Sequence, residues 1–209
     1  MTRSTFVNGL RLCAWVVAGL LAGCESSKSG GNDFGSNDPN VVSVMGDSIA
    51  LDGTPAWPSI LASQTGKNVV NHGGQGADSG SGVGAVGGVL GADKPGYLLI
   101  AFGANDVIMS RGADSLVENL RSIVRAAKAN KTVPVVATLT PMYGSHRIFD
   151  GGTKNVNPMI SKMADEEGAE LADLAGAFGD DASLVGDDGL HLTQAGHEKV
   201  ASVMSGFVK

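Results

Sequence analysis

Basic residues are scarce in this chain. Its 209 residues carry 15 Lys and Arg against 21 Asp and Glu, a formal net charge of −6. A nucleic-acid binder needs concentrated positive charge to meet phosphates, and here the few basic residues are scattered, so that class is excluded. No apolar run reaches the ~20 residues of a membrane-spanning helix. The 4 His stand singly, without an H-E-x-x-H pair or a clustered ligand set, so neither a metal nor a cofactor is expected. Glycine is what the chain has in quantity, 31 residues, but with no G-X-Y period to suggest a collagen helix. A mean hydropathy of +0.10 with alternating apolar blocks excludes wholesale disorder. The length suits one domain with a real core.

The two cysteines, Cys13 and Cys24, both lie at the N-terminal end. Arg3 and Arg11 precede an apolar stretch over 12–22 of signal-peptide length. It closes in Leu21-Ala22-Gly23-Cys24, which resembles a bacterial lipobox, in which small residues fit the peptidase and the cysteine sulfur carries the lipid. The expectation is a leader over 1–23, acylation of Cys24, and an exported lipoprotein anchored to a membrane by its N-terminus. With Cys13 cut away and Cys24 acylated, cysteine chemistry is out. By resemblance to Gram-negative sorting signals, Glu25 after the cysteine favours the outer membrane, facing the periplasm or the cell surface. Residues 24–39, rich in Ser, Gly, Asn and Asp, read as a flexible tether.

Beyond it, over 40–209, the pattern is that of a single domain. Short β-rich runs occur at 41–45, 68–71, 97–102, 133–138 and, more weakly, 170–174. Helical stretches fall between and after them, at 55–65, 113–129, 155–167 and 193–207. Over 113–129 the apolar residues Leu116, Leu120, Ile123, Val124 and Ala127 recur at three- and four-residue steps, one face of a helix. Strands alternating with helices imply a parallel sheet covered on both faces, with chemistry at the carboxyl ends of the strands. The Gly-rich stretch 73–91 lacks both G-x-G-x-x-G spacing and a P-loop Lys-Ser/Thr. It reads as a flexible crossover with a weak helix near 83–90.

Polar residues collect where such a sheet places chemistry. The first strand runs into Gly46-Asp47-Ser48, the second into Asn71-His72-Gly73-Gly74-Gln75-Gly76, the third into Gly103-Ala104-Asn105-Asp106. Each alone could be turn chemistry, or in the case of Ser48 a helix cap. Near the C-terminus comes Asp188-Gly189-Leu190-His191, just before the last helix. Taken in order, these blocks resemble the SGNH hydrolases, the GDSL-type esterases and lipases, over about residues 41–205. Ile49 stands where leucine is usual and Met45 where an aromatic is common; neither touches the chemistry.

The resemblance implies a three-layer α/β/α domain with a flavodoxin-like parallel sheet of about five strands. It also implies a serine ester hydrolase working through an acyl-serine intermediate on a small ester. Ser48 would be the nucleophile, His191 its base and Asp188 the group orienting the imidazole, with the Ser48 and Gly76 main-chain N–H groups and the Asn105 amide as oxyanion donors. The chemistry calls for such a set. A serine hydroxyl is a poor nucleophile unless a base takes its proton, histidine can return that proton to the leaving alcohol, and the tetrahedral oxyanion needs donors already in place.

The D-x-x-H register selects Asp188 over the adjacent Asp187. Asp47 and Asp106 are expected to brace their loops, His72 to be structural, His146 to sit on the cleft rim and His197 to lie solvated on the last helix. The expected activity is on short to medium acyl esters, as in esterases, arylesterases, lysophospholipases and thioesterases. A carbohydrate O-acetyl esterase shares the machinery but needs a sugar cleft, for which Trp57, Tyr143 and Phe149 are the few aromatic candidates. A glycan-binding lipoprotein on a retired hydrolase fold is a third reading, disfavoured by the complete residue set. The substrate's identity and the oligomeric state are not legible in the sequence.

Overall fold

The structure, a computed structural model, describes residues 1–2, 32–51 and 53–209. The chain divides into two units, Met1–Gly31 and Asn32–Lys209. In the first only Met1 and Thr2 are described, so the leader, the lipobox and Cys24 lie outside the described residues.

The second unit is built on a parallel sheet of five strands in the order β2-β1-β3-β4-β5, with β1 Asp38–Gly46, β2 Asn68–Gly73, β3 Pro95–Ala101, β4 Val133–Ala137 and β5 Glu170–Ala172. This is the flavodoxin-like order. The helices between and after the strands are α1 Ser48–Leu51, α2 Trp57–Thr65, α3 Ser79–Asp93, α4 Ala104–Ile108, α5 Ala113–Ala129, α6 Asp150–Glu167, α7 Leu174–Phe178 and α8 Gln194–Ser205. Because side chains alternate along a strand, the sheet feeds two cores. Val42, Val44, Tyr97, Leu99 and Val135 pack with Trp57, Leu61, Val200 and Met204 of α2 and α8. Met45, Leu98, Ile100 and Val136 face the other way, onto Val86, Leu120, Ile123, Val124 and Ile160 of α3, α5 and α6. The stripe read in the sequence on α5 is the one that is buried. Three layers result, as the chain's alternating pattern implied.

Three expectations are corrected. The Gly-rich stretch holds the helix expected near 83–90, but as a 15-residue α3 rather than a weak turn in a flexible crossover. Its N-cap Asp78 accepts the Ser81 N–H at 2.9 Å, and Val86, Val89 and Leu90 bury its inner face, so capping and packing override the poor helix propensity of glycine. Gly82 belongs to that packing, because a Cβ there would stand 2.6 Å from the Phe102 ring and 2.9 Å from Ile123. The tether expected over 24–39 is also too long. Phe34 sets its ring edge-on to Tyr97 at 5.3 Å, Asn37 donates to the Asn130 carbonyl at 2.6 Å, and β1 already begins at Asp38. Residues 32–39 are therefore part of the folded unit.

Finally, His197 is buried rather than solvated, at 2% exposure. Its Nδ1 accepts the Trp57 main-chain N–H at 3.3 Å, joining α8 to α2. It lies on the inward face of α8 with Gly196, Val200, Ala201 and Met204. Helix α6 also begins earlier than expected, at Asp150, and runs through Pro158. Its Asn157 amide grips both the N–H and the carbonyl of Leu139, just past β4, at 2.8 and 3.0 Å. No described helix is long and apolar enough to cross a membrane.

Candidate active site

Ser48 opens α1 directly beyond the carboxyl end of β1, where a parallel sheet exposes the chain to a crevice. Its loop is braced from within: the buried Asp47 carboxylate accepts the Ile49 N–H at 2.9 Å, and the Asp47 carbonyl accepts the Ala50 N–H at 3.1 Å. Burial pushes the Asp47 carboxyl up to about 6, against the Ile49 hydrogen bond and the nearby His191, both of which favour its charged form. Beneath it is a cavity of about 30 Å³ lined by Asp47, Ile49, Ala104, Leu139 and Leu174.

The second and third loops are stitched to each other. After β2 the Ala77 N–H returns to the Gly74 carbonyl at 3.2 Å, and Gly76 has φ +66°. A positive φ at the third residue is what a type II turn demands, which is why glycine stands there. The Asn105 amide of α4 donates to the Ala77 carbonyl at 2.9 Å. Next to it the buried Asp106 accepts the Ser79 N–H at 2.9 Å and the Ser79 hydroxyl at 2.5 Å. Asp47 and Asp106 thus brace loops, and Asn105 is oriented through one of its two amide hydrogens.

Asp188 and His191 come from a loop outside the sheet. The Ser48 hydroxyl donates to His191 Nε2 at 2.9 Å, and His191 Nδ1–H donates to Asp188 Oδ2 at 2.6 Å, the tautomer being set by that acceptor. Asp188 Oδ1 accepts the main-chain N–H groups of Leu190 and His191 at 2.9 and 3.0 Å. Burial acts to raise the Asp188 carboxyl, but the hydrogen bond from His191 and the two main-chain donors outweigh it and hold the group below its ordinary value. It is Asp188 and not Asp187 that reaches His191. The set can transfer a proton from a serine hydroxyl to an imidazole whose charge a carboxylate compensates.

The remaining histidines divide. His72 is bonded through Nε2 to Asp93 at 2.6 Å, and Asp93 also takes the Ser43 hydroxyl at 2.6 Å, so its role is structural. His146 lies on a 3₁₀ turn, Gly144–Phe149, against the loop of Asp188. That contact was missed in the sequence, where 42 residues separate the partners and no pattern joins them. Of the aromatic candidates Trp57 is buried in the core at 1% exposure and takes no part in a cleft. Phe149 packs with Ile49 and Ile108 on a cluster of Ala104, Met142 and Leu190. Ile49, Ala104 and Leu190 in that cluster are each the chain neighbour of Ser48, Asn105 or His191. Among the described residues no group of three or more His, Cys, Asp or Glu is placed to hold a metal ion.

Comparison with known proteins follows the same lines. The profile of the GDSL-like Lipase/Acylhydrolase family matches residues 44–199. No curated protein matches significantly. Among solved structures, a G-D-S-L family protein from Desulfitobacterium hafniense is similar at TM-score 0.72 and 22% identity, over 81% of this chain and 99% of that one. The lipase/acylhydrolase from Enterococcus faecalis is similar at TM-score 0.71 and 20% identity, over 79% of this chain and 93% of the other. The psychrotrophic esterase EstA from Pseudoalteromonas sp. is similar at TM-score 0.65 and 21% identity, over 79% and 94%. At these identities the likeness is one of fold.

Proposed function

The chain belongs to the GDSL-like lipase/acylhydrolase family and is an ester hydrolase, and from that premise we propose that it cleaves carboxylic esters of short to medium acyl chains through an acyl-Ser48 intermediate. The observation that carries the reading is the continuous hydrogen-bonded line from Ser48 Oγ through His191 to Asp188. As Ser48 Oγ attacks the ester carbonyl carbon, its proton passes to His191 Nε2, and Asp188 compensates the imidazolium. The carbonyl oxygen takes up the charge among the Ser48 N–H, the Gly76 N–H and the Asn105 amide. Collapse breaks the bond to the alcohol oxygen, which receives the proton from His191. Water then attacks the acyl-enzyme by the same route, yielding the carboxylic acid and restoring the Ser48 hydroxyl.

The apolar cluster of Ala104, Met142 and Leu190 with Ile49, Ile108 and Phe149 supports an aliphatic acyl group. The burial of Trp57 removes the largest aromatic platform a sugar would stack on. The test is hydrolysis of p-nitrophenyl esters from acetate to palmitate by the purified protein, with Ser48→Ala alongside. The expected result is an optimum at short to medium chains and, in the variant, a loss on the order of 10⁴-fold or more. Retained activity in Ser48→Ala removes the serine mechanism, while a strict acetate preference favours the carbohydrate deacetylase.

We also propose that the protein is a lipoprotein held at a membrane through Cys24, the outer membrane being favoured by Glu25. The support is the run Leu21-Ala22-Gly23-Cys24 at the end of the apolar stretch. Mass spectrometry of the membrane fraction should find Cys24 as the acylated N-terminus; a mature chain without acyl mass there overturns it.

A further inference from the structure

Asp188 and His191 sit on a loop that no strand of the sheet contains, and the loop's own bonds are local. Gly186 N–H reaches the His191 carbonyl at 2.7 Å, Gly189 N–H reaches the Gly186 carbonyl at 2.8 Å, and Val185 and Leu192 form an isolated antiparallel bridge. These close the loop on itself, and Val185 and Leu190 pack its base and its tip on apolar clusters. The segment after β4 adds directed polar contacts to that packing. The Tyr143 N–H donates to the Gly189 carbonyl at 2.8 Å. The Ser145 hydroxyl and His146 Nδ1–H then converge on a single acceptor, the main-chain carbonyl of Asp188, at 2.9 and 2.7 Å. Contact between the two segments is close enough that a Cβ on Gly189 would stand 1.8 Å from the Tyr143 carbonyl oxygen.

Asp188 is therefore gripped at both ends. Its carboxylate is held by Leu190, His191 and the His191 ring. Its carbonyl is held by side chains more than forty residues away in sequence. A carbonyl only accepts, so His146 carries hydrogen on Nδ1. Its ring rests 6.2 Å from that of Phe149, itself packed on Met142 and Leu190, so the donor has a fixed direction.

We propose that Ser145 and His146 are positioning residues for the Asp188–His191 pair, clamping the Asp188 carbonyl so that His191 Nε2 stays within reach of the Ser48 hydroxyl. The proposal rests on the serine mechanism above. Its consequence is specific: the clamp matters when His191 accepts the proton, so its loss lowers turnover and leaves substrate binding alone. A displacement of ~1 Å in such a constellation can cost up to ~10²-fold.

The experiment is steady-state hydrolysis of p-nitrophenyl butyrate by the wild type and by His146→Ala, His146→Asn, Ser145→Ala and the double Ala variant, with thermal unfolding of each. The expected result is a kcat about 10-fold lower in His146→Ala, a smaller loss in Ser145→Ala because one donor remains, and KM within about 2-fold throughout. His146→Asn should restore most of the loss, because its amide N–H occupies the place of Nδ1–H, a rescue that general loop packing does not predict. In a Ser48→Ala background, His146→Ala should change nothing further. An unchanged kcat in His146→Ala overturns the proposal. So does a raised KM at unchanged kcat, which would make the turn a substrate-binding rim, or a folded His146→Asn no better than the alanine variant. Should Ser48→Ala itself remain active, the serine mechanism fails first, whatever the His146 variants show.

Discussion

The two halves of this active site are held by different means. Ser48, Gly76 and Asn105 each follow a strand of the sheet, and the side chains that brace them, Asp47 and Asp106, are 2% and 3% exposed. Asp188 and His191 project from a loop after α7, with side chains 44% and 35% exposed. The proposed nucleophile and oxyanion donors thus stand at strand ends of the sheet, whereas the proposed base and its carboxylate stand on a loop held by the packing of Leu190 and by contact with the segment after β4. Substitutions that remove a hydrogen bond in the first half should cost both stability and turnover; in the second they should cost turnover alone.

Asp188→Asn tests that division with the largest expected effect. The asparagine oxygen can still accept the Leu190 and His191 N–H groups, but its amide would face His191 Nδ1 with a donor and favour the wrong tautomer. A fall in kcat of up to ~10⁴-fold is expected, with a nearly unchanged melting temperature. Comparable loss of both would show the loop to be part of the core. Asn105→Ala should lower kcat by ~10²–10³-fold, with KM little changed. Because the side chain also ties the Gly76 loop through Ala77, it should cost roughly 1 kcal/mol of stability as well. Near-normal turnover would remove Asn105 from the oxyanion site.

The smallest effect sharpens the strand-borne half by pH. Burial raises the Asp47 carboxyl to about 6 from its ordinary 3.8, so between those values the folded protein binds a proton that the unfolded chain has released. Stability from this group is present below 3.8 and is lost as pH rises through about 6. Asp47→Asn, which keeps the acceptor for Ile49, should therefore stabilise the protein at pH 8 by on the order of 2 kcal/mol and by nothing near pH 3. Thermal melts at the two pH values check it, and a destabilised variant at pH 8 would mean that the ionised carboxylate is needed for the loop.

Much of this was legible because the signals were local. The buried stripe on α5, the five β-rich runs and the polar loops at their ends each depend on residues a few positions apart. What was misread depended on distant partners. The glycines of 73–91 argue against more than a weak helix until Phe102 and Ile123 are packed against Gly82. His197 reads as a surface residue until α2 offers the Trp57 N–H to it. Residues 32–39 read as tether until Tyr97 and Asn130 receive Phe34 and Asn37.

By itself, then, the sequence determined the alternation that makes a parallel sheet and the order in which Ser48, Gly76, Asn105, Asp188 and His191 follow one another along the chain. Strand periodicity and turn chemistry act over a few residues and are written in the chain directly. Only the tertiary structure decided that Ser48 and His191, 143 residues apart, meet at 2.9 Å, that α3 extends over Ser79–Asp93, and that the turn carrying His146 closes on Asp188. Those outcomes rest on hydrogen bonds and close packing between segments remote in sequence, and such contacts exist only once the core has brought the segments together.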